Sequence, residues 1–247
     1  MSSTLTVSRL RACMLRAVTA LLAFLPVLCT PRASAQQSYV GLFDLYGGFT
    51  YLASPDINLD QRGFHLQAGI NANSWLALGF DYSRSVGHTD ITPNLLTASL
   101  QQSLGEQIAA GEALHEFPAG YSLVVPFDAT TQTFAAGPQL MIRHWSAVTL
   151  FVRPSIGAIH EDATLHATDP IAASVVAQLA PTGSKTDWTA FYGFGGGSEF
   201  NFGPHFSIRA QVDFVHSHLF SDVLKNGRNT VRLSIGPAIH LGPNRAK

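Results

Sequence analysis

Eight stretches of this chain alternate apolar with polar or small side chains: residues 38–52, 62–71, 75–85, 130–143, 148–160, 188–201, 206–219 and 229–241. Alternation with a period of two is the mark of a strand, because successive side chains leave a sheet on opposite faces. The links between the stretches themselves alternate in length. "ANS", "HWSA" and "FGPH" join the second to the third, the fourth to the fifth and the sixth to the seventh. "ASPDINLDQ", residues 86–129, residues 161–187 and "FSDVLKNGR" make the longer links. An even set of strands with short turns at one end and long loops at the other is the pattern of a transmembrane β-barrel. After residue 35 no stretch approaches the ~20 apolar residues of a helical span, so entry into a bilayer would be by strands.

One face of the stretches is uniformly apolar. Phe206, Ile208, Ala210, Val212 and Phe214 oppose Ser207, Arg209, Gln211 and Asp213; Val231, Leu233, Ile235 and Ile239 oppose Arg232, Ser234, Gly236 and His240. Phe64, Leu66, Ala68 and Ile70 oppose Gly63, His65, Gln67 and Gly69, and the stretches around Phe80 and Tyr192 behave alike. A soluble, ligand-binding barrel would turn the apolar face inward, and a membrane barrel would turn it outward. The polar face decides for the membrane. It is rich in Gly, Ala and Ser, and none of the eight stretches contains lysine, which solvated strands use freely. Its charges also balance, with Asp44, Asp81, Glu199 and Asp213 set against Arg143, Arg153, Arg209 and Arg232. These eight residues are expected to form a paired, structural network in the lumen, since unpaired charges there would be costly. Tyr39, Tyr51, Trp75, Tyr82, Trp188, Phe202 and Phe220 lie near segment ends and suit interfacial girdles.

Residues 1–35 read as a signal peptide: Arg9, Arg11 and Arg16 precede the apolar run Ala17–Leu28, and Ala33-Ser34-Ala35 fits a cleavage site. The run is too short for a membrane helix, and Leu28 is too large for the usual lipobox before Cys29. The barrel domain is then 36–247, exported to the cell outer membrane. Both cysteines, Cys13 and Cys29, leave with the signal, so neither a disulfide nor a thiolate metal site is expected. The signal also removes four of the 15 Lys and Arg but none of the 16 Asp and Glu, and the acidic remainder speaks against nucleic acid as a partner.

The runs "TFAAGPQLMIRHWSAVTLFVRPSIGAIHE", "FYGFGGGSEFNFGPHFSIRAQVDFVHSHLF" and "NTVRLSIGPAIHLG" resemble the small eight-stranded outer-membrane protein β-barrel family. The resemblance lies in a Gly-Pro in mid-barrel strands, a Gly-rich sixth strand, Arg209 and Asp213 on the seventh, and Arg232, Ser234 and Gly236 on the last. It covers most of residues 130–241. It implies an all-β, closed eight-stranded antiparallel barrel, monomeric, inserted by the barrel-assembly machinery and surrounded by outer-membrane lipid. The chain departs from the family pattern in closing with Leu241 where a terminal aromatic is usual. No peptidoglycan-binding domain is expected after the barrel, since "GPNRAK" alone follows.

The long loops carry two helical patterns. Leu96, Leu100, Leu104 and Ile108 stripe residues 94–114 behind Thr92-Pro93, and Asp169-Pro170 opens a second helix with Ile171, Val175 and Leu179 on one face. Such helices would cap the barrel mouth, bind a partner that the sequence does not identify, or lie on lipid. His216-Ser217-His218 raises a catalytic alternative, a lipid-modifying enzyme. Yet the two histidines share a face that Ser217 does not, and a metal would need a third ligand such as His160 or Glu161. The Gly193–Gly197 run lacks the lysine and helix of a phosphate loop, and is expected to make room for Phe151 or Arg153. The expectation is a non-enzymatic envelope or surface-interaction protein without cofactor or metal, passing small solutes slowly if the network opens, since eight strands leave room for side chains only.

Overall fold

The computed structural model describes residues 37–114, 120–225 and 227–246. Strands β1 (Phe43–Ser54), β2 (Leu59–Asn71), β3 (Leu76–Ile91), β4 (Val125–Ile142), β5 (Val148–Leu165), β6 (Ser184–Asn201), β7 (Phe206–Ser217) and β8 (Arg228–Leu241) follow in chain order. Each pairs antiparallel with the next, and β1 pairs with β8, so the sheet closes and no edge is left for another chain to extend. The signal peptide expected over 1–35 lies outside the described residues.

The apolar face points outward. Phe49, Phe80, Phe214 and Ile235 are 51–55 % exposed, whereas Arg209, Asp213 and Arg232 are 1–2 % exposed inside the closed sheet. A soluble barrel with an apolar interior at this level is thereby excluded, because such large side chains in water would forfeit most of the hydrophobic driving force for folding.

Four strands run at least four residues further toward the loops than their alternation predicts. β3 continues to Ile91, β4 starts at Val125, β5 continues to Leu165 and β6 starts at Ser184. An 18-residue strand is roughly 60 Å long, well beyond the ~9–11 residues that cross hydrocarbon. In the extensions of β4 and β5 the two faces exchange polarity. Near the loops, Val125, Phe127 and Ala129 of β4 are buried and Asp128 is exposed; deeper in the same strand, Thr131 and Thr133 are buried and Phe134 is exposed. The first long link correspondingly shrinks to residues 55–58, a tight turn in which Asn58 takes a left-handed conformation that asparagine tolerates.

Inward apolar residues at the loop ends of the strands, in the extensions and just below them, build a plug in the outer part of the lumen. Leu59, Phe127, Ile159, Phe191, Val215 and Phe220 pack there. Phe220 therefore does not belong to a girdle: it is 6 % exposed, sits at a positive φ of 52°, and its amide donates to Asp187 Oδ2 at 2.5 Å, which turns the ring into the mouth.

Both loop helices form. Helix α1 spans Ala98–Ala113, starting later than the Thr92-Pro93 signal suggests, because Pro93–Leu95 makes a separate 3-10 turn. Leu96 is then extended, 1 % exposed and bridged to Leu224, so helical geometry resumes only after Thr97. Helix α2 spans Pro170–Leu179, and the Asp169 carboxylate accepts from the Ile171 and Ala172 amides at 2.9 and 2.8 Å. Leu104 of α1 joins Ala172, Val175 and Val176 of α2, with Leu123, Val125 and Val223, in a second apolar cluster. The helices thus share one apolar cluster with the loop ends of the barrel. The buried face of α2 centres on Ala172, Val175 and Val176, not on Ile171 and Leu179.

The Ala172 amide, aided by the Tyr121 hydroxyl and the Ile171 amide, holds the Asp169 carboxyl below the ordinary aspartate range. Because the folded value is the lower one, the cap contributes at and above that range and is lost only as the pH falls beneath it. For Asp169→Ala, faster amide hydrogen exchange is expected at Ile171 and Ala172, with protection of β1–β8 unchanged; equal exchange in α2 would show that the cap does not hold the helix.

Candidate functional site

The inward positions of the membrane-level strands bring charge from distant parts of the chain into one buried column. At its centre stands Asp213 on β7, 1 % exposed. Arg153 on β5 donates to it through Nε at 3.0 Å and Nη2 at 3.2 Å, and Arg232 on β8 donates through Nε at 3.1 Å and Nη2 at 2.9 Å. Arg153 Nη1 continues to Asp81 on β3 at 2.8 Å, and Asp81 meets His65 Nε2 on β2 at 2.9 Å. Arg232 Nη1 continues to Thr133 Oγ1 at 3.1 Å and Ser83 Oγ at 3.3 Å. Six of the eight strands are tied together here, and the two carboxylates match the two guanidiniums in charge. Burying such groups is tolerable because the fork of each arginine satisfies carboxylate lone pairs directly.

Space for this centre comes from the glycines of β6. A Cβ on Gly195 would stand 2.0 Å from Asp213 Oδ1, so the run makes room for that carboxylate and not for the side chains of Phe151 or Arg153.

Toward the short turns, Arg209 donates to Glu199 through Nε at 2.7 Å and through Nη2, and to Gln67 Oε1 at 2.5 Å. Its guanidinium lies between the rings of Phe151 and Tyr46, 5.1 and 5.5 Å from their centroids. Nearer the turns, Asp44 accepts from His240 Nδ1 and Asn71 Nδ2, both at 2.7 Å, while Arg143 Nη2 stands 3.8 Å away. Arg143 is held more closely by the Ser74 carbonyl at 2.7 Å and Asn71 Oδ1 at 3.2 Å. All eight charged residues singled out in the sequence therefore lie in the lumen, grouped in three tiers.

A fourth tier was not foreseen. Arg228 Nη1 donates to both oxygens of Glu161, at 2.8 and 2.7 Å; Arg228 Nε donates to Ser54 Oγ at 3.0 Å, and Thr131 Oγ1 to Glu161 Oε2 at 2.6 Å. Both charged residues fall one position outside the alternating stretches, in what the sequence presents as loops. This tier lies within the apolar plug: on β5, Ile159 is the next inward residue below Glu161 and Ala163 the next above it. Ile57, Ile91, Leu95, Phe127, Leu165 and Leu224, with Glu161 among them, line a small apolar recess of about 40 Å³, partly open to solvent.

The His216-Ser217-His218 triplet does not assemble. Ser217 points into the lumen, fully buried, while the His216 ring packs on Tyr192 at 5.2 Å and on His218 at 5.0 Å, and its Nδ1 meets Asn229 Oδ1 at 2.9 Å. Neither proposed third metal ligand is near: His160 stacks on Trp188 at 4.5 Å, and Glu161 faces the other way, against Arg228. Strand alternation separates these neighbours in sequence. Among the described residues no group of three or more His, Asp or Glu is placed to hold a metal ion.

A family model described as "Outer membrane protein beta-barrel domain" matches residues 20–236. Several solved structures resemble the chain over most of its length. Ail, the attachment invasion locus protein of Yersinia pestis, in complex with the heparin analogue sucrose octasulfate, is 16 % identical, with 79 % of this chain and 96 % of Ail covered at a TM-score of 0.42. Neisserial surface protein A is 10 % identical, with 81 % and 96 % covered at a TM-score of 0.49. OprG from Pseudomonas aeruginosa is 10 % identical, with 84 % and 99 % covered at a TM-score of 0.46. No curated protein matches the sequence.

Proposed function

Because the chain belongs to the outer membrane protein β-barrel domain family, and so to the outer membrane, we propose that it is a non-enzymatic envelope protein that acts through its outer loops while its lumen stays closed. The observation that carries this reading is the clamp of Asp213 between Arg153 and Arg232, which joins opposite walls of the barrel at its centre. The apolar plug and the apolar cluster that the loop helices share add a second closure further out. What remains accessible to the exterior is loop surface, chiefly α1 and α2, and interaction with a surface partner is the role that such a surface fits. Export by residues 1–35, insertion by the barrel-assembly machinery and a monomeric state in outer-membrane lipid belong to the same proposal.

Planar bilayer recording from the refolded mature protein tests it. No steady single-channel conductance is expected, since ions would have to pass through paired charges already in contact. A steady open level in the parent protein would make the chain a narrow solute channel instead. Folding is verified beforehand by gel mobility in detergent, which shifts on boiling for a closed barrel. Turnover of lipid abolished by His216→Ala or His218→Ala would establish the enzymatic alternative.

A further inference from the structure

Arginines of this barrel fall into two populations. Arg143, Arg153, Arg209, Arg228 and Arg232 face the lumen and pair with carboxylates. Arg62 on β2 and Arg84 on β3 face outward and are exposed, on the lipid-facing side that carries Phe64 and Phe80. Neither has an ion pair or hydrogen bond to a side chain among the described residues. We propose that Arg62 and Arg84 form a binding site for the phosphate of an outer-leaflet lipid headgroup.

Register places the two side by side. Arg84 stands opposite Phe64, and Arg62 opposite Val86, so they are diagonal neighbours on one face with Cα atoms roughly 7–8 Å apart. Two guanidinium forks at that separation bracket a single phosphate, whose oxygens accept paired N–H donors. Gln132 of β4, directly across from Arg84 on the same face, adds an amide.

Height identifies the lipid. Phe64, Tyr82, Phe134 and Trp188 form a continuous outer aromatic stripe, with successive ring centroids 5.9, 5.0 and 6.1 Å apart. Such a stripe marks the boundary between hydrocarbon and headgroups. Arg62 lies two residues from Phe64, and Arg84 two residues from Tyr82, both toward the long loops. That is where a lipid phosphate lies when its acyl chains run down past the stripe. Asp60, the nearest acid on this face along β2, is two residues further out, opposite His88 and on the water side of the pair.

The test is lipid retention by the folded mature barrel in detergent, read by native mass spectrometry with phosphatidic acid and with phosphatidylcholine as probes. The parent is expected to prefer phosphatidic acid. R62A/R84A should lose about thirtyfold of its affinity for that lipid, the effect of two basic groups at a membrane surface, and little for phosphatidylcholine. R62K/R84K should recover part of the loss, because lysine restores charge without the fork. Excess inorganic phosphate should leave the bound lipid in place. Equal retention of phosphatidic acid by the parent and R62A/R84A would overturn the proposal, as would displacement by free phosphate, which would mark a soluble-anion site. Each variant is first checked for its gel shift on heating. If the double variant does not fold, R62A and R84A taken singly should each weaken phosphatidic acid about fivefold, and no loss in either would also overturn the site.

Discussion

Asp213→Ala is expected to destabilise the barrel by about 3–5 kcal/mol, enough to abolish refolding under conditions where the parent folds. The carboxylate is the shared partner of Arg153 and Arg232, and each guanidinium is 2–3 % exposed. Truncation leaves two buried positive charges facing each other, with Asp81 the carboxylate that Arg153 still meets. The fitting comparison is Asp128→Ala. Asp128 pairs with His166 at 2.9 Å at an exposed site, where losing a pair changes stability by less than ~1 kcal/mol. Urea midpoints from tryptophan fluorescence in detergent measure both. If Asp213→Ala and Asp128→Ala shift the midpoint alike, the central clamp contributes nothing particular, and the closed-lumen proposal loses its main support.

Val212→Arg is the second large effect, expected at ~2–4 kcal/mol. Val212 is the neighbour of Asp213 in sequence but faces lipid, paired with Gly196 on one side and Leu233 on the other, midway along β7. A charge there has neither water nor a carboxylate within reach. Val86→Arg supplies the contrast. Val86 is also outward, 53 % exposed, but it lies beside Arg62 and beyond the aromatic stripe. Near the interface the cost of an arginine falls to about 0–1 kcal/mol. Two equal penalties would mean that the hydrocarbon boundary is not where the aromatic stripe puts it.

The eight strands and the direction of their faces were legible in the sequence because membrane-level strands have a single, uninterrupted phase of alternation. Phe206 to Asp213 reads correctly from side-chain type alone. The extensions were not legible, and the reason is specific. At Ala129 to Thr131 the inward set changes from apolar to polar, so the period of two persists while its sign reverses, and a reading that follows apolar residues along one face stops there. Glu161 and Arg228 were lost for the same reason, one residue past the point where alternation was followed. The Asp213 clamp was half legible: charge balance named its members, but no local pattern says that Arg153, sixty residues away, reaches Asp213 while Arg143 turns to the Ser74 carbonyl. Register around a closed sheet decides such pairings, and register is a property of all eight strands together.

The exchange of polarity along β4 and β5 works as a load line painted on a hull. Raising the barrel by one pair of residues, roughly 5 to 7 Å, would lift Phe134 and Trp188 toward water; lowering it as far would draw Arg84, Asp128 and Asp162 toward hydrocarbon. Either displacement is resisted, and the resistance is written into covalent sequence at a fixed distance from the short turns. In a bilayer of the wrong thickness, therefore, lipid has to stretch or thin to meet the protein. A molecule with this property is a gauge of its own surroundings, drawn toward patches of membrane whose depth already matches its draught.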